Sequence, residues 1–368
     1  MDKIYTALGL MSGTSMDGVD ASIIQTDGKS NYKAILDKYF KYPESIYNDL
    51  TKLRDKIKNS KDLKKHQKKI KSLEKDITIF HAESVDKILK RTRISVDFIG
   101  FHGQTIFHNA AAKITKQLGD GKLLSKLTKK NVIYDFRKND LKKGGGGAPL
   151  VPIFHEMLQK KFNIKPLSFF NIGGILNRTT IWKDGLLTAG DVGPGMCLID
   201  KWIRTKTKKE YDKNGDIAKT GKVNKVVLDK YWRSFKASDP EQASYDTSDF
   251  DISFAKNLSL KDGAATLTLY TANLFISYFK TNEQFKDLSK EKTILCGGGR
   301  KNKFLVNIIK SYNRNLKLID DYGIDGDFVE SQAFGYLAIR SYLGLPITFP
   351  NTTGCKEPTT GGVLIKNF

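Results

Sequence analysis

Residues 4–23 read IYTALGLMSGTSMDGVDASI and carry the clearest structural signal in the chain. The apolar run Ile4–Leu10 predicts a strand, and the alternation of Val19, Ala21 and Ile23 with polar neighbours predicts a second strand after a turn. That turn holds glycines, hydroxyls and a carboxylate, so its backbone N–H groups and hydroxyls can be aimed at phosphate oxygens. An ordinary polar hairpin loop has the same composition, and the turn alone leaves both interpretations open.

The order of strand, glycine turn and strand returns in the second half of the chain. Leu167–Ile172 predicts a strand, Gly173 and Gly174 a tight turn, and Leu176–Trp182 the returning strand. Gly174 and Gly13 then occupy equivalent places in the two halves. We therefore expect a duplicated α/β architecture with a cleft between the halves.

The length of the chain agrees with two domains, because a single hydrophobic core rarely grows past about 250–300 residues and this chain has 368. We expect an N-terminal domain of residues 1–163 and a C-terminal domain of residues 164–368. A final helix is predicted from Phe328 to about Tyr342, and it is free to pack back on the first domain. Further predicted elements are strands at Tyr32–Phe40, Asp97–Phe101, Asn131–Phe136, Leu186–Ala189 and Thr293–Cys296, and a helix at Ala148–Lys161.

Composition excludes several classes of protein. Hydrophobic residues make up 39% of the chain, which supports packed cores and argues against global disorder. No run of about 18 apolar residues occurs, and the N-terminal segment is unlike a secretory signal, so we expect a cytoplasmic protein with no membrane-spanning helix. The three cysteines lie far apart and form neither a disulfide framework nor a zinc site.

The formal net charge of +22 raises the question of nucleic-acid binding. Arginine, which pairs with phosphate and guanine in bidentate fashion, is scarce among the basic residues, and the lysines are spread along the chain. The densest run, Lys52–Lys75, carries Leu53, Ile57, Ile70 and Leu73 at helical or near-helical spacing, which is typical of an amphipathic segment with a solvated lysine face. We therefore expect no nucleic-acid partner.

Two motifs in the second half carry further chemistry. Asp191 ends a predicted strand and enters a Gly-Pro-Gly turn, where a carboxylate can project into a cleft as a general base. An aspartate that stabilises its own loop is the competing interpretation. The run Gly297-Gly298-Gly299 follows a buried strand and would let a flat adenosine ring lie against the backbone, although a flexible connection has the same composition.

Three polar residues have structural explanations as well as functional ones. Glu330 stands three residues after Asp327 at the head of the final helix, a spacing typical of a capping box. His102 and Gln104 follow a predicted strand and suit a sugar, although a lone histidine in such a place is more often structural.

Taken in order, the motifs nearly span the chain. They are MSGTSMDGVD at Met11–Asp20, HGQTIFH at His102–His108, QLGDG at Gln117–Gly121, DFRKND at Asp135–Asp140, GGGGAPLVPIFH at Gly144–His155, NIGGILN at Asn171–Asn177, GDVGPG at Gly190–Gly195, GGGRKN at Gly297–Asn302 and GLP at Gly344–Pro346. Together with the Glu330 helix, they resemble the anhydro-N-acetylmuramic acid kinases, within the superfamily of acetate and sugar kinases, Hsp70 and actin. The sequence departs from the family pattern at Val192, Met196, Ser331 and Gly146.

The resemblance implies two actin-like, ribonuclease H-like α/β domains with nucleotide in the cleft between them. It implies an ATP-dependent enzyme, with Mg²⁺, that opens 1,6-anhydro-N-acetylmuramic acid with water and phosphorylates O6 in peptidoglycan recycling. Asp191 and Glu330 would be catalytic, and His102, Gln104 and Asn177 would bind the sugar. The residues expected to bind ATP are Gly13, Thr14, Ser15, Met16, Asp17, Gly18, Val19, Asp20, Gly173, Gly174, Gly297, Gly298 and Gly299, with Mg²⁺ near Asp17.

Two alternatives from other classes remain at this point. One is a non-catalytic nucleotide switch of the actin or Hsp70 type, which the retained carboxylates of Asp191 and Glu330 disfavour. The other is a basic nucleic-acid-binding protein, which the dispersed and arginine-poor charge disfavours. A kinase for a related amino sugar is a narrower alternative, and the sequence leaves a homodimer open.

Overall fold

The computed structural model describes residues 3–237, 245–281 and 292–367. The chain divides into two compact units, Met1–Asn163 with Phe328–Phe368, and Ile164–Asp327. The division after residue 163 coincides with the point where the sequence pattern repeats. The C-terminal residues from 328 onward belong to the first unit, because their helix packs on the first sheet.

The first unit is built around one sheet with the strand order β12-β6-β4-β1-β2-β3, and β5 pairs with β4. Its strands are β1 (Tyr5–Ser12), β2 (Gly18–Thr26), β3 (Tyr32–Lys41), β4 (Phe98–Asn109), β5 (Ile114–Leu118), β6 (Asn131–Tyr134) and β12 (Val363–Ile365). Its helices are α1 (Glu44–Lys56), α2 (Ser60–Lys65), α3 (Gln67–Leu89), α4 (Gly121–Thr128), α5 (Lys138–Lys142), α6 (Pro152–Phe162), α11 (Val329–Tyr342) and α12 (Pro350–Thr353).

The second unit is built around a five-stranded sheet with the order β11-β10-β7-β8-β9. Its strands are β7 (Leu167–Ile172), β8 (Ile175–Ile181), β9 (Leu187–Pro194), β10 (Thr293–Cys296) and β11 (Leu316–Leu318). Its helices are α7 (Cys197–Lys206), α8 (Lys225–Ala237), α9 (Leu260–Thr281) and α10 (Lys303–Tyr312).

The two sheets share one topology. In each, the first three strands form an antiparallel meander, β1-β2-β3 or β7-β8-β9. The first strand of each meander then pairs in parallel with a later strand, β4 or β10, which pairs in parallel with β6 or β11. The duplicated α/β fold expected from the sequence is confirmed, and the antiparallel β12 is an addition to the first sheet.

Helix α11 lies close to the first sheet because two strands present glycine beneath it. A Cβ on Gly9 would lie 1.8 Å from the carbonyl oxygen of Ser331, and one on Gly100 would lie 2.2 Å from that of Phe334. Any side chain at these positions would push the helix away. The close approach also brings the buried hydroxyls of Ser22 and Ser331 within 2.6 Å of each other.

Several expected element boundaries were wrong. The strand predicted to end before His102 continues to Asn109, because its second half pairs with β5. The helix predicted from Ala148 begins only at Pro152. The capping box predicted for Asp327 and Glu330 is absent, since Phe328 is the N-cap of α11 and Asp327 pairs with Arg300.

The lysine-rich segment Lys52–Lys75 is divided among the three helices α1, α2 and α3. Leu53, Ile57, Ile70 and Leu73 are buried in the core of the first unit, whereas every lysine from 52 to 75 is exposed. The predicted amphipathic character is therefore confirmed. In the part of the chain that the structure describes, no helix has both the length and the apolar surface needed to cross a membrane.

Candidate active site

The turn between β1 and β2 is held by a network of buried hydrogen bonds. The hydroxyl of Ser12 donates to the carbonyl of Gly18 at 2.8 Å and to Oε1 of Gln104 at 2.6 Å. The amide of Gln104 donates to the carbonyl of Gly13 at 3.0 Å, and the hydroxyl of Tyr42 reaches Ser12 at 3.1 Å. Ser12 and Gln104 are paired positions of the parallel strands β1 and β4, and this pairing brings the two side chains together.

The residues of this turn divide into an inner and an outer set. Met16 has φ of 58° and a buried side chain, so it pins the turn to the core with a backbone conformation that non-glycine residues rarely adopt. Val19 is also buried, and Gly18 is required by the fold because its Cβ would lie 2.4 Å from the carbonyl of Phe40. The outer set is Thr14, Ser15 and Asp17, which are exposed, and Gly13 and Asp20, which are half-buried.

Gly13 differs from its neighbours because the fold does not require a glycine there. A Cβ on Gly13 would meet no atom within 4 Å, and its φ lies outside the left-handed region. The open space beside its backbone is where an anion can approach the N–H groups of the turn. The exposed carboxylate of Asp17 fits Mg²⁺, which takes one or two protein carboxylates and completes its shell with phosphate oxygens and water.

A second cluster in the first unit joins His102, Arg137 and Glu330. The guanidinium of Arg137 donates to Nε2 of His102 at 3.0 and 3.2 Å and to the carbonyl of Gly147 at 2.7 Å. Burial and the adjacent Arg137 cation hold the pKa of His102 well below 6.5, so the ring is neutral and acts as an acceptor. Burial lowers the pKa of Arg137 to about 10, while the negative charges of Glu330 and Asp140 oppose that shift.

The glycine-rich loop beside this cluster is held by a buried carboxylate. Asp140 accepts from the N–H of Gly147 at 2.6 Å and from the hydroxyl of Thr353 at 2.7 Å. A Cβ on Gly145 would lie 2.2 Å from Oδ2 of Asp140, so the loop can close on the carboxylate only with glycine at that position. The loop therefore fixes the carbonyl of Gly147 against which Arg137 is oriented.

In the second unit, three polar residues form a row across neighbouring strands. Asn171 on β7 lies opposite Asn177 on β8, and Asn177 lies opposite Asp191 on β9. Residues directly opposite one another in an antiparallel pair project from the same face of the sheet. The structure thus brings the predicted sugar-binding Asn177 and the predicted base Asp191 together, and adds Asn171.

Asp191 has the properties of a general base that works near neutral pH. Its Oδ2 accepts a hydrogen bond from the backbone N–H of Tyr245 at 2.8 Å, which orients the carboxyl group. Burial raises the pKa of Asp191 from 3.8 to about 6, and the Tyr245 N–H partly opposes that rise. A base is most effective when its pKa lies near the working pH.

The Gly297-Gly298-Gly299 run begins at the carboxyl end of β10, next to the row. A Cβ on Gly297 would lie 2.2 Å from Oδ1 of Asn171, and one on Gly299 would lie 2.4 Å from Ile172, so the fold requires both glycines. Gly298, in contrast, has no atom within 4 Å of its Cβ position. The buried Arg300 holds this loop by donating to the carbonyl of Gly297 at 3.1 Å.

Arg300 is itself anchored by three acidic residues that follow β11. Its guanidinium pairs with Asp320 at 2.7 Å, Asp327 at 2.6 Å and Asp325 at 3.3 Å. Hydrogen bonds to Asp320 and Asp327 raise the pKa of Arg300 against the effect of burial, and the guanidinium stays charged. These contacts hold the loop that we expect to contact adenosine.

The turn Gly173-Gly174 is joined to the start of α7. The carbonyl of Gly173 accepts from the N–H of Met196 at 2.8 Å, and that of Gly174 accepts from Gly195 at 2.9 Å and from Cys197 at 3.2 Å. These bonds satisfy N–H groups at the beginning of the helix. The phosphate contacts expected of this turn stay a prediction.

Two residues of these clusters were not singled out from the sequence, and a third, Gln104, was expected to bind the sugar. Arg137 and Asn171 were each named only as parts of sequence motifs. The polar atoms of Gln104 are committed to the turn and to the carbonyl of Thr105, so its contacts are those of a positioning residue. Among the described residues, no group of three or more His, Cys, Asp or Glu side chains is arranged to hold a metal ion.

Comparisons with known proteins give one consistent family. The family model described as anhydro-N-acetylmuramic acid kinase matches residues 5–367. A protein of that name from Pelagibacter ubique (strain HTCC1062) is 51% identical over 375 aligned residues, with 100% of both chains covered. Another of that name, from Agrobacterium fabrum (strain C58), is 39% identical over 376 aligned residues, again with 100% of both chains covered.

Solved structures resemble the chain more distantly. The activator of 2-hydroxyisocaproyl-CoA dehydratase from Clostridium difficile, with bound ADPNP, has a TM-score of 0.44 and 11% sequence identity. The likeness covers 92% of this chain and 96% of that chain.

Proposed function

Since the chain belongs to the anhydro-N-acetylmuramic acid kinase family, we propose that it phosphorylates 1,6-anhydro-N-acetylmuramic acid at O6, using ATP, while water opens the anhydro bond. The products are N-acetylmuramic acid 6-phosphate and ADP, and the reaction serves peptidoglycan recycling. We also propose a cytoplasmic location, where ATP is available.

The observation that carries this proposal is the state of Asp191. Water is a poor nucleophile at neutral pH, and attack on C1 of the bicyclic sugar needs a base on the face opposite the leaving oxygen. Asp191 is oriented by the Tyr245 N–H and has a pKa of about 6, so it is ionised at neutral pH and can still accept a proton. It takes one proton from the attacking water, the new bond forms at C1, and the bond from C1 to O6 breaks.

The freed O6 then attacks the terminal phosphorus of ATP, and ADP leaves. In phosphoryl transfer the protein mainly positions the groups and stabilises charge. We assign phosphate contacts to the backbone of the turn from Gly13 to Asp17, where the open space beside Gly13 supports them. Mg²⁺, when bound, neutralises phosphate charge, and Asp17 is the carboxylate that would hold it. Adenosine contacts are assigned to Gly297-Gly298-Gly299.

The cluster of His102, Arg137 and Glu330 is assigned to the sugar. Neutral His102 fixes the guanidinium of Arg137 by accepting two of its N–H groups. The positive charge of Arg137 in turn interacts with the carboxylate of Glu330. An ionised carboxylate can accept hydrogen bonds from sugar hydroxyls or from the attacking water.

A non-catalytic nucleotide switch would not need an oriented carboxylate with a raised pKa, so Asp191 disfavours that alternative. Purified protein should be incubated with ATP, Mg²⁺ and 1,6-anhydro-N-acetylmuramic acid while ADP and the sugar product are measured. We expect ADP to form only with the sugar present, and the product to be heavier by one water and one phosphoryl group. Equal ADP formation without sugar, or a product lacking the added water, would contradict the proposal.

The narrower alternative is a kinase that acts on a related amino sugar. The same assay with the unbridged N-acetylmuramic acid and with N-acetylglucosamine tests it. Both compounds already carry a free O6 and need no attack at C1. We expect turnover with the anhydro sugar to be higher than with either of them. Faster phosphorylation of an unbridged sugar would reassign the substrate.

A further inference from the structure

A pocket of about 330 Å³ opens in the first unit, and none of the candidate active-site residues lines it. Three ammonium groups line it, those of Lys3, Lys129 and Lys130, together with the aromatic rings of Tyr5 and Tyr342. Ligand pockets in proteins span about 300–1,000 Å³, so this one has room for a ligand of monosaccharide size.

The pocket lies at the edge of the sheet opposite the glycine turn. Strands β1, β4 and β6 run parallel, and the lining residues Tyr5, Phe98 and Asn131 are the first residues of these strands. The turn that follows Ser12 lies at the carboxyl ends of the same strands. Helix α11 carries Glu330 in its first turn and ends at Tyr342, which lines the pocket. At 1.5 Å per residue, the helix separates the pocket from Glu330 by about 20 Å.

Three aromatic residues that line the pocket pack against one another. The rings of Phe98 and Tyr342 have centroids 4.3 Å apart, and the ring of Tyr5 lies 5.6 Å from that of Tyr342 and 6.1 Å from that of Phe98. Tyr342 remains 45% exposed. Large apolar faces that stay open to solvent in a concave site are suited to the C–H face of a sugar ring.

The polar groups of the pocket are arranged for an anion and for hydroxyls. The lining contains three lysines and one carboxylate, that of Asp97, which already accepts the backbone N–H of Thr6 at 2.8 Å. The side-chain oxygen of Asn131 accepts the backbone N–H of Asn367 at 3.0 Å, which fixes the amide at the rim. The surplus positive charge attracts phosphate, and the fixed carboxylate and amide offer acceptors and donors to sugar hydroxyls.

We propose that this pocket binds a small sugar phosphate, with the phosphate on Lys129 and Lys130 and the ring on Tyr342. The pocket is distinct from the catalytic residues, so a ligand in it does not compete with ATP. This proposal does not depend on the proposed function, because it concerns binding at the opposite edge of the sheet.

Calorimetric titration of the full chain with glucose 6-phosphate tests the proposal. We expect saturable binding that saturating ADP does not displace and that weakens as salt is raised. Replacing both lysines, K129Q with K130Q, should raise the dissociation constant about tenfold, as the loss of two exposed ion pairs implies. The matched control, K122Q with K126Q, removes the same charge from the exposed face of α4 and should leave the constant within about twofold.

Further variants and a second ligand distinguish the contribution of the sugar ring from that of the phosphate. Tyr342→Ser should weaken glucose 6-phosphate several-fold, whereas Tyr342→Phe should bind it like the parent chain, and inorganic phosphate should bind more weakly than the sugar phosphate. Circular dichroism confirms that each variant is folded. Displacement by ADP, equal weakening by the control pair, or binding of inorganic phosphate as tight as that of glucose 6-phosphate would overturn the proposal.

Discussion

Replacing Asp191 with Asn removes the proton acceptor and keeps the size of the side chain. The amide oxygen can still accept the Tyr245 N–H that now orients the carboxyl group at 2.8 Å. Removing a general base typically costs about 10²–10⁴-fold in rate, and we expect turnover to fall within that range. Binding of sugar and ATP should be largely retained, because the amide preserves the shape of the site.

The pH dependence follows from the pKa of the same group. With a pKa of about 6, about nine in ten Asp191 side chains are ionised at pH 7 and about one in ten at pH 5. The kcat/KM of the parent chain for the sugar should therefore fall about tenfold per pH unit below pH 6, because this ratio reports the pKa of the free enzyme. The residual turnover of Asp191→Asn should lack this acid limb.

As pH rises, the contribution of Asp191 to the free energy of unfolding should fall while the activity rises. The folded pKa of Asp191, about 6, lies above its ordinary 3.8, so the folded state binds the proton more tightly and the free energy of unfolding falls as pH rises between these values. At pH 7.5 the ionised, partly buried carboxylate costs on the order of 2 kcal/mol after allowance for solvent screening. Asp191→Asn should thus melt at a higher temperature than the parent at pH 7.5, with the difference vanishing below about pH 4.

Product formation, calorimetric binding and thermal melting can all be measured on one preparation of each variant. Asp184→Asn is the matched control, because Asp184 is an exposed carboxylate in the turn between β8 and β9 of the same sheet. It should change neither turnover nor its acid limb. If Asp191→Asn turned over within a few-fold of the parent, Asp191 would only stabilise its loop, and Glu330 would be the first candidate for the base.

Three further variants probe the first unit. Gly13→Val should leave the melting temperature nearly unchanged, since its Cβ meets no atom within 4 Å, but should raise the KM for ATP about tenfold; an unchanged KM would remove the turn from the site. Gln104→Leu should lower the free energy of unfolding by about 1–3 kcal/mol because it removes two buried hydrogen bonds, one to the hydroxyl of Ser12 and one to the carbonyl of Gly13, and a denaturant titration measures this. Arg137→Lys keeps the charge but cannot reach both His102 and Gly147, so kcat/KM for the sugar should fall about tenfold, and an unchanged value would exclude Arg137 from the sugar site.

Much of the fold was predictable because its signals are local. The strands Leu167–Ile172 and Thr293–Cys296 have the predicted bounds, since each is a short apolar run closed by glycine. The error at β4 arose because the second half of that strand is polar and is held in place by pairing with Ile114–Leu118. Such pairing depends on residues distant in the chain, and strand periodicity does not reveal it.

The sequence motifs predict candidate site residues, but they do not reveal the contacts that these residues make. The spacing of Asp327 and Glu330 favoured a capping box, but a buried arginine 27 residues earlier competes for Asp327, and the charge-assisted pair prevails over the cap. Arg137 was overlooked for a similar reason. Its importance depends on a histidine, a glycine carbonyl and a glutamate that come together only in the folded unit.

In the two motifs that we propose to bind nucleotide, some glycines are required by packing and others are not. In the first motif Gly18 is required by the carbonyl of Phe40, and in the last motif Gly299 is required by Ile172, so packing alone explains these two. Gly13 and Gly298 have neither a close neighbour nor a left-handed backbone, and packing does not explain them. A glycine that the fold does not need, within a motif that the family shares, is best explained by a ligand that approaches its backbone. The two positions thus support the nucleotide contacts that we propose for these two motifs.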